Sequence, residues 1–193
     1  FDLCGAAVAL LLLAPLLLVV ALAIRLDSPG PVFFRQVRVG RGGLPFRIHK
    51  FRSMRVDAPT LGPQVTVGRD ARITRVGHWL RHYRVDELPQ FIDVLLGQMS
   101  LVGPRPEVPH FVAHYPPDLA SQVLAVRPGI TDPASLAHLD EAALLAAASD
   151  PEREYIDHIL PRKLALQAEY ARSATLLSDL RVLARTLKVL VAR

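Results

Sequence analysis

Residues 3–24, LCGAAVALLLLAPLLLVVALAI, contain no charged side chain. As a helix, such a run would be roughly 33 Å long, about the thickness of a bilayer's hydrocarbon core. A soluble fold would have to bury this surface on all sides, so the run directs the chain toward a membrane. A cleaved signal peptide fits poorly, because the run is too long and no basic segment precedes it. A spanning helix and a re-entrant hairpin that enters and leaves by one face both remain. Pro15 lies near the middle, where it removes a backbone hydrogen bond and crowds the preceding turn. Spanning helices also tolerate proline, so Pro15 alone does not choose between them.

The residues that follow are strongly basic. Between 25 and 55 there are eight cations (Arg25, Arg35, Arg38, Arg41, Arg47, Lys50, Arg52 and Arg55) against Asp27 alone, a net of +7. The whole chain is +5, so the remainder carries −2. A basic block directly after an apolar run faces the cytoplasm under the positive-inside rule and is drawn to anionic headgroups. Nucleic acid is the weaker partner for it, since the block abuts the membrane segment and carries no recognisable binding motif. The mean hydropathy of +0.27 over 193 residues is high for a soluble chain. The single cysteine, Cys4, excludes an intrachain disulfide and fits a reducing compartment. No CxxC or HExxH occurs, which argues against structural zinc. The chain begins at Phe1 rather than Met, which leaves room for residues before it.

Asp27-Ser28-Pro29-Gly30-Pro31 is a breaker cluster that ends the apolar segment. VFFRQVRVG and LPFRIHKF read as two strands joined at Arg41-Gly42-Gly43. In the second, Phe46 and Ile48 alternate with Arg47 and His49, as in a half-buried strand. Residues 56–70 read as loop and 71–84 as a short helix. A further helix is expected to begin near Asp86, with Leu88, Phe91, Ile92 and Leu95 forming one buried face and Pro89 in the first turn. VRPGI at 126–130 reads as a turn. Residues 138–149, 152–172 and 175–192 read as helices. The last carries Leu176, Leu180, Leu183, Leu187 and Leu190 as an apolar stripe, with Arg181, Arg185 and Lys188 elsewhere on its surface. Such a helix either packs on a core or lies on a membrane surface.

Asp86 and Glu87 are the centre of the chemistry. Their ordinary reading is a helix N-cap and a first-turn acid facing the macrodipole. Their surroundings suggest more. A helix start together with Arg81 and Arg84 would hold a carboxylate ionised. An ionised carboxylate can attack phosphorus without a general base, giving an acyl phosphate. That attack brings negative charge toward negative charge, so cationic clamps or a divalent metal are needed. Gly103-Pro104-Arg105-Pro106 supplies one: a stiff turn presenting a guanidinium whose planar donors match phosphate. The same turn could equally be a plain helix stop after Gly97.

The chain resembles the bacterial sugar transferase family of monotopic phosphoglycosyl transferases. The matching segments run in order through nearly the whole chain. They are FDL, the apolar run with Ala14-Pro15, SPGPVFFRQVRVG, FRIHKFRSM, ITRVGHWLRHYRVDELPQFIDVLLGQMSLVGPRPE, VRPGIT and EYARSATLLSDLRVLARTLKVL. The resemblance implies that a sugar 1-phosphate passes from a UDP-sugar to polyprenol (undecaprenyl) phosphate with release of UMP, initiating exopolysaccharide, capsule or glycan assembly. It implies a ping-pong cycle in which Asp86 of the Asp86–Glu87 dyad is the nucleophile and forms a covalent phosphosugar intermediate. It also implies Mg2+ near the dyad, with Asp86 and Glu87 as its candidate ligands, and phosphate-holding roles for Lys50, Arg81, Arg105 and Arg127. The membrane helix would be re-entrant, broken at Ala14-Pro15. Residues 1–26 would then be the anchor and 27–193 a catalytic domain on the cytoplasmic face of the bacterial inner membrane, in contact with membrane lipids. The fold expected is α+β and mainly helical: a re-entrant membrane helix-break-helix, a small β-hairpin, and surface amphipathic helices around a catalytic core.

The sequence departs from the family after RPGIT. Asp132-Pro133-Ala134-Ser135 and HLDEAALL replace the common Gly and aromatic or Leu, which leaves the identity of the sugar open. The extra transmembrane helices and upstream domain of larger members are not in this sequence, as expected of either a minimal member or a catalytic fragment. Two other classes compete. A glycosyltransferase that moves the sugar without its phosphate would release UDP, and many of those use a DxD motif, which does not occur here. A non-catalytic membrane scaffold would tolerate Asp86→Asn.

Overall fold

The computed structural model describes residues 1–61, 70–137 and 141–192. It is mainly helical, with two small sheets. Helix α1, Asp2–Asp27, contains the apolar run. It is one uninterrupted helix with Pro15 inside it, so the expected break at Ala14-Pro15 is not seen as an interruption. Proline removes one backbone bond of a ladder that residues on both sides continue. The window of greatest hydropathy in α1 is only 11% buried, and Leu11, Leu12, Leu18 and Leu26 are among its most exposed side chains.

Both ends of α1 are fastened to the body. Near its start, Asp2 Oδ2 accepts from Ser100 Oγ at 2.8 Å. At its end, Asp27 Oδ2 accepts from the Val76 backbone N–H at 3.0 Å. Arg52, almost fully buried, donates to the carbonyls of Ile24 (3.4 Å), Ser28 (2.8 Å) and Pro29. These groups satisfy carbonyls that a helix end leaves open.

Strands β1 (Phe33–Val39) and β2 (Pro45–Phe51) form the expected antiparallel hairpin, with Phe33 opposite Phe51, Phe34 opposite Lys50 and Val39 opposite Pro45. Its turn, Arg41–Gly43, places Gly42 and Gly43 at φ 68° and 76°, a region glycine enters without steric cost. Within the segment read as loop at 56–70, Ala58–Leu61 is a short helix, α2; residues 62–69 lie outside the described residues. Helix α3, Arg75–His82, starts at Thr74, whose hydroxyl accepts from Gly77 N–H.

The helix expected to begin near Asp86 is different in the structure. Val85–Glu87 is a 3-10 turn, and helix α4 runs Gln90–Leu95 with Pro89 as its N-cap. Asp86 is therefore not the helix cap. The reason lies at Arg84, where the chain takes a left-handed conformation, φ 55° and ψ 22°, that ends one helix and starts a tight turn. In a non-glycine residue this conformation costs about 1–2 kcal/mol. The expected buried face is also rotated. Gln90, Asp93 and Val94 are fully buried, whereas Leu95 is exposed and Phe91 and Ile92 are half-buried.

Strands β3 (Ser100–Val102) and β4 (Gly129–Thr131) form a short parallel pair. VRPGI thus leads into a strand rather than only a turn. Helices α5 (Pro109–Val112) and α6 (Pro117–Val123) lie between the two strands along the chain, and α7 (Pro133–Ala137), α8 (Glu141–Ala147) and α9 (Pro151–Glu154) follow them. A π-helical stretch, Tyr155–Ile159, joins α9 to α10 (Leu160–Ser173), so the helix expected at 152–172 is present. Of the helix expected at 138–149, residues 138–140 lie outside the described residues. Helix α11, Leu176–Val191, opens on a capping box between Thr175 and Ser178. None of its residues is fully buried. Val182 and Leu183 rest on the core, while Leu176, Leu180 and Leu187 of the stripe point outward.

The core falls into three clusters. The first packs Phe111, Tyr155, Ile159 and Leu164 among α5, α6 and α10. The second joins Ala6 of α1 to Ile48, Val94, Met99 and Leu101. The third joins Val20 and Ile24 of α1 to Phe51, Leu80 and Val85. Full burial of side chains such as Leu80 or Leu164 contributes roughly 1.5–3 kcal/mol each. Two clusters thus include α1, and the third pins Val85, the residue immediately before the acidic pair.

Candidate active site

Three segments far apart in sequence meet at Glu87. Strand β2 supplies Lys50, whose ammonium donates to Glu87 Oε1 at 2.8 Å. The Gly103–Pro106 turn supplies Arg105, which grips Glu87 with both terminal nitrogens: Nη1 reaches Oε2 at 3.2 Å and Nη2 bonds Oε1. Arg84 places Nη1 at 3.8 Å from Oε2. Burial pushes the Glu87 carboxyl up, but the charges of Arg105 and Lys50 outweigh that and hold it well below its usual range. The cations respond unequally. Glu87 raises Arg105, whereas burial lowers Lys50, with Arg105 and Arg38 adding repulsion.

Asp86 is buried beside this cluster and enters none of Glu87's ion pairs. Burial raises its pKa, Lys50 opposes that shift, Glu87 adds to it, and Arg81 and Arg105 oppose it. A helix start does not hold Asp86 ionised, contrary to the expectation from sequence. The cations around it favour the charged form, but burial outweighs them and its pKa stays raised.

Arg105 is fixed from several directions. Gly103 and Gly129 approach so closely that a Cβ on Gly129 would lie 2.1 Å from the Gly103 nitrogen. Gly103 N–H donates to Thr131 O (3.1 Å) and Gly129 N–H to Pro104 O (2.9 Å). Asp132, fully buried, accepts from Arg105 N–H at 3.1 Å and from Ser135 N–H and Oγ–H at 2.7 and 3.0 Å. On the other side, Arg38 Nη1 donates to Pro106 O at 2.9 Å and lies 3.6 Å from Glu107. Glu107 accepts from Tyr155 Oη–H, and Lys163 Nζ donates to that same hydroxyl at 3.1 Å.

Of the residues singled out from sequence, Lys50, Asp86, Glu87 and Arg105 come together, and Arg81 lies within electrostatic range of Asp86. Arg127 is exposed and makes none of the contacts that join Lys50 and Arg105 to Glu87; its backbone carbonyl instead lies under Gly103. Ala14 is half-buried and Pro15 exposed on α1. Sequence reasoning gave no role to Arg38, Glu107 or Asp132. The available signal was adjacency, since Glu107 follows the Gly-Pro-Arg-Pro turn directly and Asp132 follows Thr131.

The family model described as bacterial sugar transferase matches residues 1–193, the full chain. The chain belongs to the bacterial sugar transferase family. Among curated relatives, this chain is 45% identical over 159 residues to the UDP-N-acetylgalactosamine-undecaprenyl-phosphate N-acetylgalactosaminephosphotransferase of Aeromonas hydrophila, covering 81% of this chain and 36% of that protein. It is 40% identical over 195 residues to the UDP-glucose:undecaprenyl-phosphate glucose-1-phosphate transferase of Caulobacter vibrioides, covering 98% and 68%. It is 56% identical over 106 residues to the exopolysaccharide production protein PSS of Rhizobium leguminosarum bv. phaseoli, covering 54% and 53%. The chain thus spans between about a third and two-thirds of these relatives' lengths.

Proposed function

We propose that this chain moves a sugar 1-phosphate from a UDP-sugar to undecaprenyl phosphate, releasing UMP, through a covalent intermediate on Asp86. One observation carries the reading: Glu87 absorbs Lys50, Arg105 and Arg84, while the adjacent buried Asp86 enters none of those ion pairs. The two acids therefore divide the work. Glu87 gathers and orients the cations, and Asp86 keeps its lone pairs available.

In the first step an Asp86 oxygen attacks the sugar-bearing phosphorus. The bond from that phosphorus to the bridging oxygen breaks, and UMP leaves with the electron pair. In the second, an oxygen of the lipid phosphate attacks the same phosphorus and Asp86 departs as a carboxylate, ready for another cycle. Arg105 and Lys50 stabilise the charge that builds on the phosphoryl oxygens, and Lys50 and Arg81 favour the charged form of Asp86 against the burial that raises its pKa.

Mg2+ fits the donor set through Asp86. It is commonly held by one or two carboxylates together with substrate phosphates and water, and both Glu87 oxygens are already engaged by cations. When bound, it would neutralise phosphate charge and act as a Lewis acid.

The anchor is read as entering and leaving by the cytoplasmic face of the inner membrane, with residues 1–26 as the anchor and 27–193 forming the catalytic domain; since α1 is unbroken at Ala14-Pro15, the reading rests on where its two ends are held and not on a break. The support is that Asp2 and Asp27, at opposite ends of α1, both bond to the same body. A helix crossing the bilayer would carry one end away from that body. The exposed apolar side chains of α1 would meet lipid, and the basic block would meet anionic headgroups.

Purified protein in nanodiscs with undecaprenyl phosphate, Mg2+ and a panel of UDP-sugars should release UMP. Release of UDP instead would favour a glycosyltransferase, and no nucleotide release across the panel would sink the reading. Intact mass should show a sugar-phosphate adduct on the wild type and none on Asp86→Asn. An adduct that survives the substitution would remove Asp86 as nucleophile.

A further inference from the structure

Arg84 is the one non-glycine residue with positive φ among the described residues. It follows Tyr83, the C-cap of α3, at the position helices often give to glycine. A side chain in this backbone conformation is strained, and retained strain is a reason to ask what the side chain does. Glycine would hold the same turn without penalty, so the turn alone does not explain an arginine. The guanidinium reaches toward Glu87, the hub of the site. The three cations around Glu87 are graded in exposure: the side chain of Lys50 is 16% exposed, that of Arg105 23% and that of Arg84 42%. Arg84 is the most exposed of the three. Its Nη1 lies 3.8 Å from Oε2.

We propose that Arg84 is a substrate-phosphate-binding residue at the mouth of the site, held there by a left-handed turn at the expense of stability. The proposal rests on the phosphoryl-transfer reading and adds a binding residue to it. Guanidinium matches phosphate with two parallel donors, which an ammonium cannot reproduce. The phosphate it meets belongs either to the nucleoside diphosphate sugar or to the lipid, and the chemistry of recognition is the same.

Arg84→Gly and Arg84→Lys in the full chain separate strain from recognition. Arg84→Gly relieves the turn and should raise Tm by roughly 2–4 °C in the same detergent. It should weaken the phosphate-dependent step roughly 10- to 100-fold. Arg84→Lys keeps charge and strain, so its Tm should stay near wild type while activity falls between the two. UMP release without acceptor isolates the donor phosphate, and the KM for undecaprenyl phosphate isolates the lipid phosphate. The arm that moves names the source. Pyrophosphate should raise the wild-type Tm more than that of Arg84→Gly, a readout that needs no turnover. A lower Tm for Arg84→Gly would overturn the strain argument. Unchanged kinetics in both arms, or equal pyrophosphate shifts, would overturn the binding role. Wild type without UMP release would count against the reaction, and the pyrophosphate comparison would still decide Arg84.

Discussion

Asp86 and Glu87 share a turn and a burial, yet their carboxyls are driven in opposite directions. The difference is partnership: Glu87 has cations within contact distance, and Asp86 feels them only from farther away. A rate profile should follow. The nucleophile must be ionised, and its pKa is raised, so the acid limb of UMP release should lie above the ordinary carboxylate value of about 3.9. Lys50 is the largest charge holding Asp86 down. Lys50→Met should therefore move that limb to higher pH as well as slow the reaction. A limb that stays in place would separate Lys50 from the ionisation of Asp86. Stability should show the complementary sign. Glu87's folded pKa is depressed, so its contribution is present above the unfolded value of about 4.3 and lost as pH falls through the lower folded value. Urea unfolding of wild type and Glu87→Gln should thus differ most near neutrality and converge in acid.

At the scale of elements, two glycines make opposite predictions. Gly129→Ala would drive a Cβ into the Gly103 backbone, prise β3 from β4 and shift the Arg105 turn. Gly97, at φ 73°, has nothing within 4 Å of where a Cβ would sit, so Gly97→Ala meets only the backbone penalty of about 1–2 kcal/mol. Thermal unfolding should rank Gly129→Ala as clearly the more damaging, with lost UMP release; equal damage would mean the close approach is not what holds the turn. The elements also show what is legible in sequence. The hairpin, α3, α10 and α11 have period, breakers or caps and can be read. Strands β3 and β4 are three residues each, too short for any alternation to register. The start of α4 misleads because Asp-Glu-Leu-Pro looks like a capped first turn, and the left-handed residue before it has no mark in a one-letter sequence. Asp86, Glu87 and Arg105 are recoverable from motif chemistry, and Lys50 from the family resemblance. Arg38 is not, since its partners Pro106 and Glu107 lie nearly 70 positions downstream in the chain. The outward turn of Leu95, Leu176, Leu180 and Leu187 follows no core-packing rule, because periodicity identifies an apolar face and not what covers it.

For the whole molecule, the test is topology. Single cysteines placed beside Asp2 and beside Asp27, in a Cys4→Ser background, should both react with a membrane-impermeant maleimide added to inside-out vesicles. Both should be protected in right-side-out vesicles. Labelling from opposite sides would remove the re-entrant anchor. The same arrangement bears on how this chain can vary. For an ordinary spanning helix, the apolar length is tuned to the thickness of the lipid around it. Here the two ends of α1 are stapled at Ser100 and Val76, so the ruler is inside the protein. Inserting one residue in the run would lengthen the helix by about 1.5 Å and swing one staple by about 100° relative to the other. Leucines in that run are free to become valines or isoleucines, but their number is fixed by the spacing of two polar contacts on the body below.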